Sequence, residues 1–456
     1  MNARVRILKG IAAHLTTLAT RIAVQFATLP IFFASWGAER TGAWFVLFAV
    51  PAYVGLVGTG FSGAGGTAAL AATQAGDQQL ARTHFRASWL ISSAATAILA
   101  LIFLFALAAM VPALPALTGQ AAGDVQAALV WLAVYIFATS QMAVAEIPFR
   151  AAGRYPEHIA LYNGAGIVEI AVIAAAVTLD QQFATLAAAL AITRCCAALF
   201  IFAQARRFAA HMFAGSRSKL GGSARALWKP SLALMLVPLI FGLNLQGYVL
   251  VLGAGFGASL LAGFVATRTL TRLLDLFTNF AFATQFYEAG HIEGPKHAIQ
   301  RRVLATMTCV SLAVAALFAG GLLVTGEWLQ DLYTLGQTQF DPAIAAILLL
   351  AATLRALSAA PIAFLTGANR HAPVVVTYLV GSAGALLLSV LLSVSDQPLT
   401  VVLLPLVLAE ACQLVPAMRA ALTALDLTAP QFARMLVSSE RGRDVTGAIR
   451  QLRRKR

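Results

Sequence analysis

Leu260–Thr284 reads LLAGFVATRTLTRLLDLFTNFAFAT, apolar enough to sit in a membrane and yet carrying Arg268, Arg272, Asp275 and Asn279. On a helix these four positions, at i, i+4, i+7 and i+11, form one polar stripe backed by Leu, Phe and Ala. Such a stripe cannot face lipid. A charged side chain at mid-bilayer costs at least ~2.5–3.5 kcal/mol on insertion scales, so the stripe must turn toward other helices or a wet cavity. Two arginines against one carboxylate leave that surface net positive, which suits an anion. The stretch predicts a membrane protein with a cationic wall.

The remainder of the chain agrees. Of 456 residues, 60% are hydrophobic and only 11% are charged, far from the roughly 25% charged of soluble domains. Taking apolar runs of about 20 residues as spans, we read an all-α polytopic protein of about twelve transmembrane helices: 14–36, 42–63, 87–112, 127–149, 159–179, 184–205, 231–253, 260–284, 303–325, 342–366, 374–394 and 399–417. The opening MNARVRILKG looks like the start of a signal peptide, but no small-residue cleavage site follows, so the first run reads as an uncleaved span.

Charge sets the topology. With the N-terminus inside, 26 of the 32 Lys and Arg fall on the cytoplasmic side, five lie within spans, and Arg40 alone is on the opposite side. This asymmetry places both termini in the cytoplasm by the positive-inside rule. It also accounts for the net charge of +14 without nucleic acid. The outer loops are short, and the four cysteines lie in apolar stretches without ligand or disulfide spacing.

The chain also repeats itself. At an offset of about 214 residues, QAGDQQLARTHFR (74–86) matches EAGHIEGPKHAIQRR (288–302), and PFRAAGRYP (148–156) matches PIAFLTGANRHAP (361–373). Six spans per half give both halves the same orientation, a parallel repeat. The expected organisation is a six-helix bundle over 1–205, a basic cytoplasmic linker over 206–229, a second six-helix bundle over 230–417, and a basic cytoplasmic tail over 418–456. The tail, rich in arginine, suits the anionic inner leaflet at ~1 kcal/mol per basic residue; a solvated tail is the alternative.

Three stretches carry a family resemblance: SWGAERTGAWFVLFAVPAYVGLVGTGFSGAGGTAALAATQAGDQQLARTHFRASW (35–89), PFRAAGRYPEHIALYN (148–163) and GAGFGASLLAGFVATRTLTRLLDLFTNF (253–280). They resemble the Wzx-type flippases of lipid-linked oligosaccharides, in the multidrug/oligosaccharidyl-lipid/polysaccharide (MOP) exporter superfamily. One departure is that 64–74 lacks the asparagine that often follows the Gly-rich turn. The resemblance implies a MATE-like fold, a central cavity lined by spans 1, 2, 7 and 8, and alternating access in a bacterial inner membrane. It would bring Arg21, Arg268 and Arg272 to one surface, where a pyrophosphate could bind through bidentate hydrogen bonds. The implied cargo is an undecaprenyl-pyrophosphate-linked oligosaccharide, an O-antigen or exopolysaccharide repeat unit, with a polysaccharide polymerase or glycosyltransferases as further partners. No cofactor is implied.

Other polar residues have two readings each. Arg21 could snorkel to the cytoplasmic headgroups instead. Asn244 and Gln246, with Tyr248, lie among Gly242, Gly247 and Pro238 in an easily bent span; they could meet sugar hydroxyls or bond between helices. Asp275 could neutralise Arg272 locally. Glu169 with Arg194, and Arg355 with Glu410, read as interhelical ion pairs. Alternatively, Asp275, Glu169 and Glu410 are candidates for coupling transport to protons or sodium.

No Walker motif or nucleophile–His–acid constellation is present, so the chain is not expected to be an enzyme. A multidrug cation antiporter would call for acidic walls, whereas span 1 has Arg21 and span 7 no charge. A lipid II flippase is a closer rival, but such relatives usually have fourteen spans. A non-transporting component of polysaccharide assembly is the third alternative.

Overall fold

The computed structural model describes residues 3–54, 57–111, 114–179, 182–214, 220–278, 297–367 and 370–438. All regular structure among them is helical. The helices are α1 Ala3–Ala49, α2 Pro51–Val54, α3 Val57–Gln74, α4 Gln78–Met110, α5 Ala122–Val144, α6 Glu146–Ala151, α7 Tyr155–Leu179 and α8 Phe183–Phe208. They continue as α9 Ala210–Phe213, α10 Leu220–Gly242, α11 Tyr248–Gly255, α12 Ala258–Thr271, α13 His297–Thr334, α14 Pro342–Gly367, α15 Ala372–Val394, α16 Leu399–Ala424 and α17 Ala429–Val437.

Eight of the described helical segments are long and apolar enough to cross a membrane. They coincide with the spans expected at 87–112, 127–149, 159–179, 184–205, 303–325, 342–366, 374–394 and 399–417. The protein is a multi-pass membrane protein. The other four expected spans fall on helices that are bent or interrupted. Span 14–36 lies in α1, which holds Pro30 internally and breaks at Gly37 (φ 71°, ψ 176°), a left-handed backbone that glycine accepts without penalty. Span 42–63 runs through the second arm of α1 into α2 and α3. Span 231–253 contains a π-helical turn, Leu243–Gly247, between α10 and α11. Span 260–284 is not the continuous helix expected: α12 stops at Thr271 and helix resumes at 274, while 279–284 lie outside the described residues.

The Gly-rich segment after residue 60, expected to close the second span, instead remains helical to Gln74. Its glycines serve close approach. A Cβ at Gly65 would stand 2.0 Å from Ser88 Oγ on α4, so only a bare Cα lets the two backbones pack at this depth. Between α4 and α5, Thr96 and Ser92 meet Ser140 at 2.9 and 3.0 Å, and Trp89 Nε1 donates to Gln141 Oε1 at 2.7 Å. In lipid such groups have no water to turn to, and these bonds satisfy them within the protein.

The chain divides into two compact units, Met1–Gly263 with Tyr333–Thr338, and Phe264–Leu332 with Gln339–Arg456. The first takes in α10 because that helix packs on α3 and α4, where a Cβ at Gly60 would lie 2.3 Å from Met235 Cγ. This division concerns packing, whereas 1–205 and 230–417 were drawn from sequence repetition. Each unit is built around its own buried charges.

Candidate functional site

In the first unit the centre is Glu169 on α7 against Arg194 on α8. Arg194 Nη2 donates to Glu169 Oε2 at 2.6 Å, and its Nε donates to Oε1, a bidentate fork. Their side chains are 11% and 9% exposed. Tyr135 of α5 and Tyr162 of α7 present ring faces to the guanidinium at 5.4 and 5.5 Å, which adds cation–π attraction and excludes water. Nothing in this centre is left over. A local pair, Arg150 Nη1 to Glu146 Oε1 at 3.2 Å, joins two residues of α6 one turn apart.

The second unit holds a longer arrangement. Arg355 of α14 donates from Nε to Glu410 Oε1 of α16 at 3.1 Å. Its Nη1 reaches both carboxylate oxygens of Asp275, at 3.0 and 3.1 Å. Tyr378 of α15 donates its hydroxyl to Glu410 Oε2 at 3.0 Å. Asp275 in turn is 3.4 Å from Arg272 Nε. The result is a chain of alternating charge, Glu410–Arg355–Asp275–Arg272. Side-chain exposure grows along it, from 0% at Glu410 to 14%, 19% and then 39% at Arg272.

The backbone explains why Arg272 and Asp275 align. After Thr271 the hydrogen bonds shorten in register: Leu273 N to Leu270 O, Asp275 N to Arg272 O and Leu276 N to Leu273 O. In such a tightened turn residues i and i+3 eclipse, so the arginine and the carboxylate stand in line. Thr271 Oγ1 donates to Arg268 O at 3.0 Å, occupying a carbonyl near the break. Arg268, one turn earlier, is 8% exposed, with its guanidinium 5.3 Å from the Phe264 ring centre.

The remaining candidates fall as follows. Asn244 lies in the π-helical turn and is 5% exposed, and Gln246 is half-buried in the same turn. Both belong to the first unit, so the candidates for sugar contact and the arginine stripe are parts of different units. Arg21 is on α1, but its side chain lies outside the described residues, as do Asn279 and the tail beyond Ser438. Among the described residues no group of His, Cys, Asp and Glu could hold a metal ion.

The pairings Glu169–Arg194 and Arg355–Glu410 are those the sequence suggested. Two features were not anticipated: the reach of Arg355 to Asp275, and the tyrosine at each centre. A signal for the tyrosines was present. Tyr162 and Tyr378 stand 216 residues apart, and so do Arg194 and Glu410. The repeat retains the tyrosine and reverses the charge beside it.

No protein-family model matches the chain, and no curated protein matches it in sequence. Solved structures do match in fold. An inward-facing multidrug resistance MATE family transporter of the MOP superfamily aligns with a TM-score of 0.68 at 15% identity, covering 89% of this chain and 96% of that one. The lipid II flippase MurJ, in an inward closed conformation, aligns at 0.66 and 11% identity, covering 94% and 90%. A eukaryotic MATE transporter, AtDTX14, aligns at 0.51 and 14% identity, covering 93% and 94%. The chain therefore has a MATE-like fold, shared with these structures over 89–94% of its length.

Proposed function

We propose that this chain is a flippase that moves an undecaprenyl-pyrophosphate-linked oligosaccharide, such as an O-antigen or exopolysaccharide repeat unit, across the bacterial inner membrane by alternating access. Both termini would be cytoplasmic and the chain would not be an enzyme. The observation that carries the reading is Arg272: a guanidinium in an expected span, on an interrupted helix, 39% exposed and, among the described residues, held by one long contact to Asp275. Irregular backbone at membrane depth is tolerated where it is buried in protein or lines a water-filled cavity. A cation presented there has little use except to meet an anion. Arg268 and Arg272 would hold the pyrophosphate, Asn244 and Gln246 the sugars, and Asp275 and Glu410 stay candidates for ion coupling, whereas Glu169, closed on Arg194 in a bidentate fork, takes the structural role.

Multidrug resistance is named for one structural neighbour; export of a cation would fit less well here because the exposed end of the second centre is an arginine. Lipid II, the cargo named for another, shares the polyprenyl pyrophosphate and differs in the group attached to it. Reconstitution into proteoliposomes with a fluorescent polyprenyl-pyrophosphate sugar tests the reading. Protein-dependent exposure of the label on the far leaflet supports it; equal scrambling of labelled phospholipid, or no movement of the sugar lipid, overturns it.

A further inference from the structure

The contacts to Asp275 are unequal, and the inequality lies where a ligand would arrive. Arg355 Nη1 holds both oxygens at 3.0 and 3.1 Å, whereas Arg272 Nε stands at 3.4 Å. Asp275 is thus anchored from the buried side and leans loosely on the exposed arginine. Among the described residues, the other ionisable groups joined to it reach it through Arg355: Glu410 on α16, and Tyr378 on α15 behind Glu410. From α13, Ala315 joins Leu274, Ala352 and Ala356 in a small apolar cluster, and no charged residue lies between Arg302 and Glu327 on that helix. An anion approaching Arg272 therefore meets a carboxylate already in place.

Resting on the flippase reading above, we infer that Asp275 is a built-in counter-anion that sets headgroup specificity. A pyrophosphate-bearing lipid displaces it from Arg272, and the singly charged phosphodiester of an ordinary phospholipid does not. A phosphodiester would exchange one negative charge for another and would still have to shed water. The pyrophosphate joining a polyprenol to a sugar is a diester with a negative charge on each phosphate and several non-bridging oxygens, so it can take Arg272 bidentately against one long contact; farnesyl diphosphate presents the same paired phosphates with one end free. Asp275 then keeps both bonds to Arg355, and displacement leaves no carboxylate buried without a partner. Repelling the commoner anion is how such a site discriminates. Without the carboxylate, Arg272 would attract phosphate headgroups generally.

The test uses the full chain in neutral detergent, titrated with farnesyl diphosphate and with short-chain phosphatidylglycerol. The native protein should prefer the diphosphate, and Arg272→Ala should weaken that binding by about tenfold. In Asp275→Asn, phosphatidylglycerol should bind about fivefold more tightly, the scale of a partly exposed ion pair, and the preference should shrink accordingly. Should that variant fail to assemble, Asp275→Glu carries the test. Its longer carboxylate meets Arg272 more closely, so farnesyl diphosphate should bind about threefold more weakly with phosphatidylglycerol still excluded. An unchanged preference in Asp275→Asn, or unchanged diphosphate affinity in Asp275→Glu, overturns the inference and leaves the flippase reading standing. If the native protein does not bind farnesyl diphosphate, or Arg272→Ala binds it equally well, the reading fails and the inference with it.

Discussion

Each compact unit buries arginine against glutamate with a tyrosine alongside, yet the two centres are finished differently. In the first, Glu169 and Arg194 close on each other in a bidentate fork, and two tyrosine rings cover the guanidinium. In the second, Glu410 and Arg355 begin a chain that passes to Asp275 and ends at Arg272, half in the open. A sealed pair can hold helices together but has nothing to offer a ligand. A chain of charges with a graded exit can do both. Under the proposed function, the difference separates a centre that stabilises from one that would meet a substrate, although both are buried at their inner ends.

Perturbing the sealed pair should give the largest effect. Glu169→Ala strands a buried guanidinium and should cost about 3–5 kcal/mol, seen as a large drop in the thermal unfolding midpoint or loss of a monodisperse peak in detergent. Replacing both partners together, Glu169→Leu with Arg194→Met, should recover most of that loss and leave transport intact, because a matched apolar pair removes both charges. If the double variant folds but no longer transports, the first centre is more than structural and the contrast collapses.

Glu410→Gln should be milder. Arg355 keeps Asp275, and the amide oxygen can still accept from Tyr378, so the loss should be about 1–2 kcal/mol by the same unfolding measurement. A loss as large as that of Glu169→Ala would mean that Asp275 does not share the load. The smallest stability effect belongs to Arg272→Ala. Its contact to Asp275 is long and its side chain 39% exposed, so less than about 1 kcal/mol should change.

Much of this was readable from the residues alone. Charges inside apolar runs must find partners, which is why Glu169–Arg194 and Arg355–Glu410 could be paired before any coordinates. The span pattern indicated an all-α polytopic protein, and the family resemblance implied the MATE-like fold that the structure has. What escaped was local backbone geometry. Hydropathy over 260–284 does not register that the helix tightens at Arg272, and an ideal 3.6-residue period puts Arg272 and Asp275 near each other but not in line. The second span was expected to stop at 63, inside the Gly-rich run, but the helix continues to Gln74. Close contact with α4 makes the run a helix regardless, through packing that no local window contains. The reach of Arg355 to Asp275 joins residues 80 positions apart, and no repeat relates them.

The account rests on Arg272 serving a ligand instead of the fold. The direct measurement is translocation of a fluorescent polyprenyl-pyrophosphate sugar by Arg272→Ala in proteoliposomes, with the unfolding midpoint of the same preparation recorded. Loss of translocation at an unchanged midpoint is the predicted result; native translocation by the variant would contradict it.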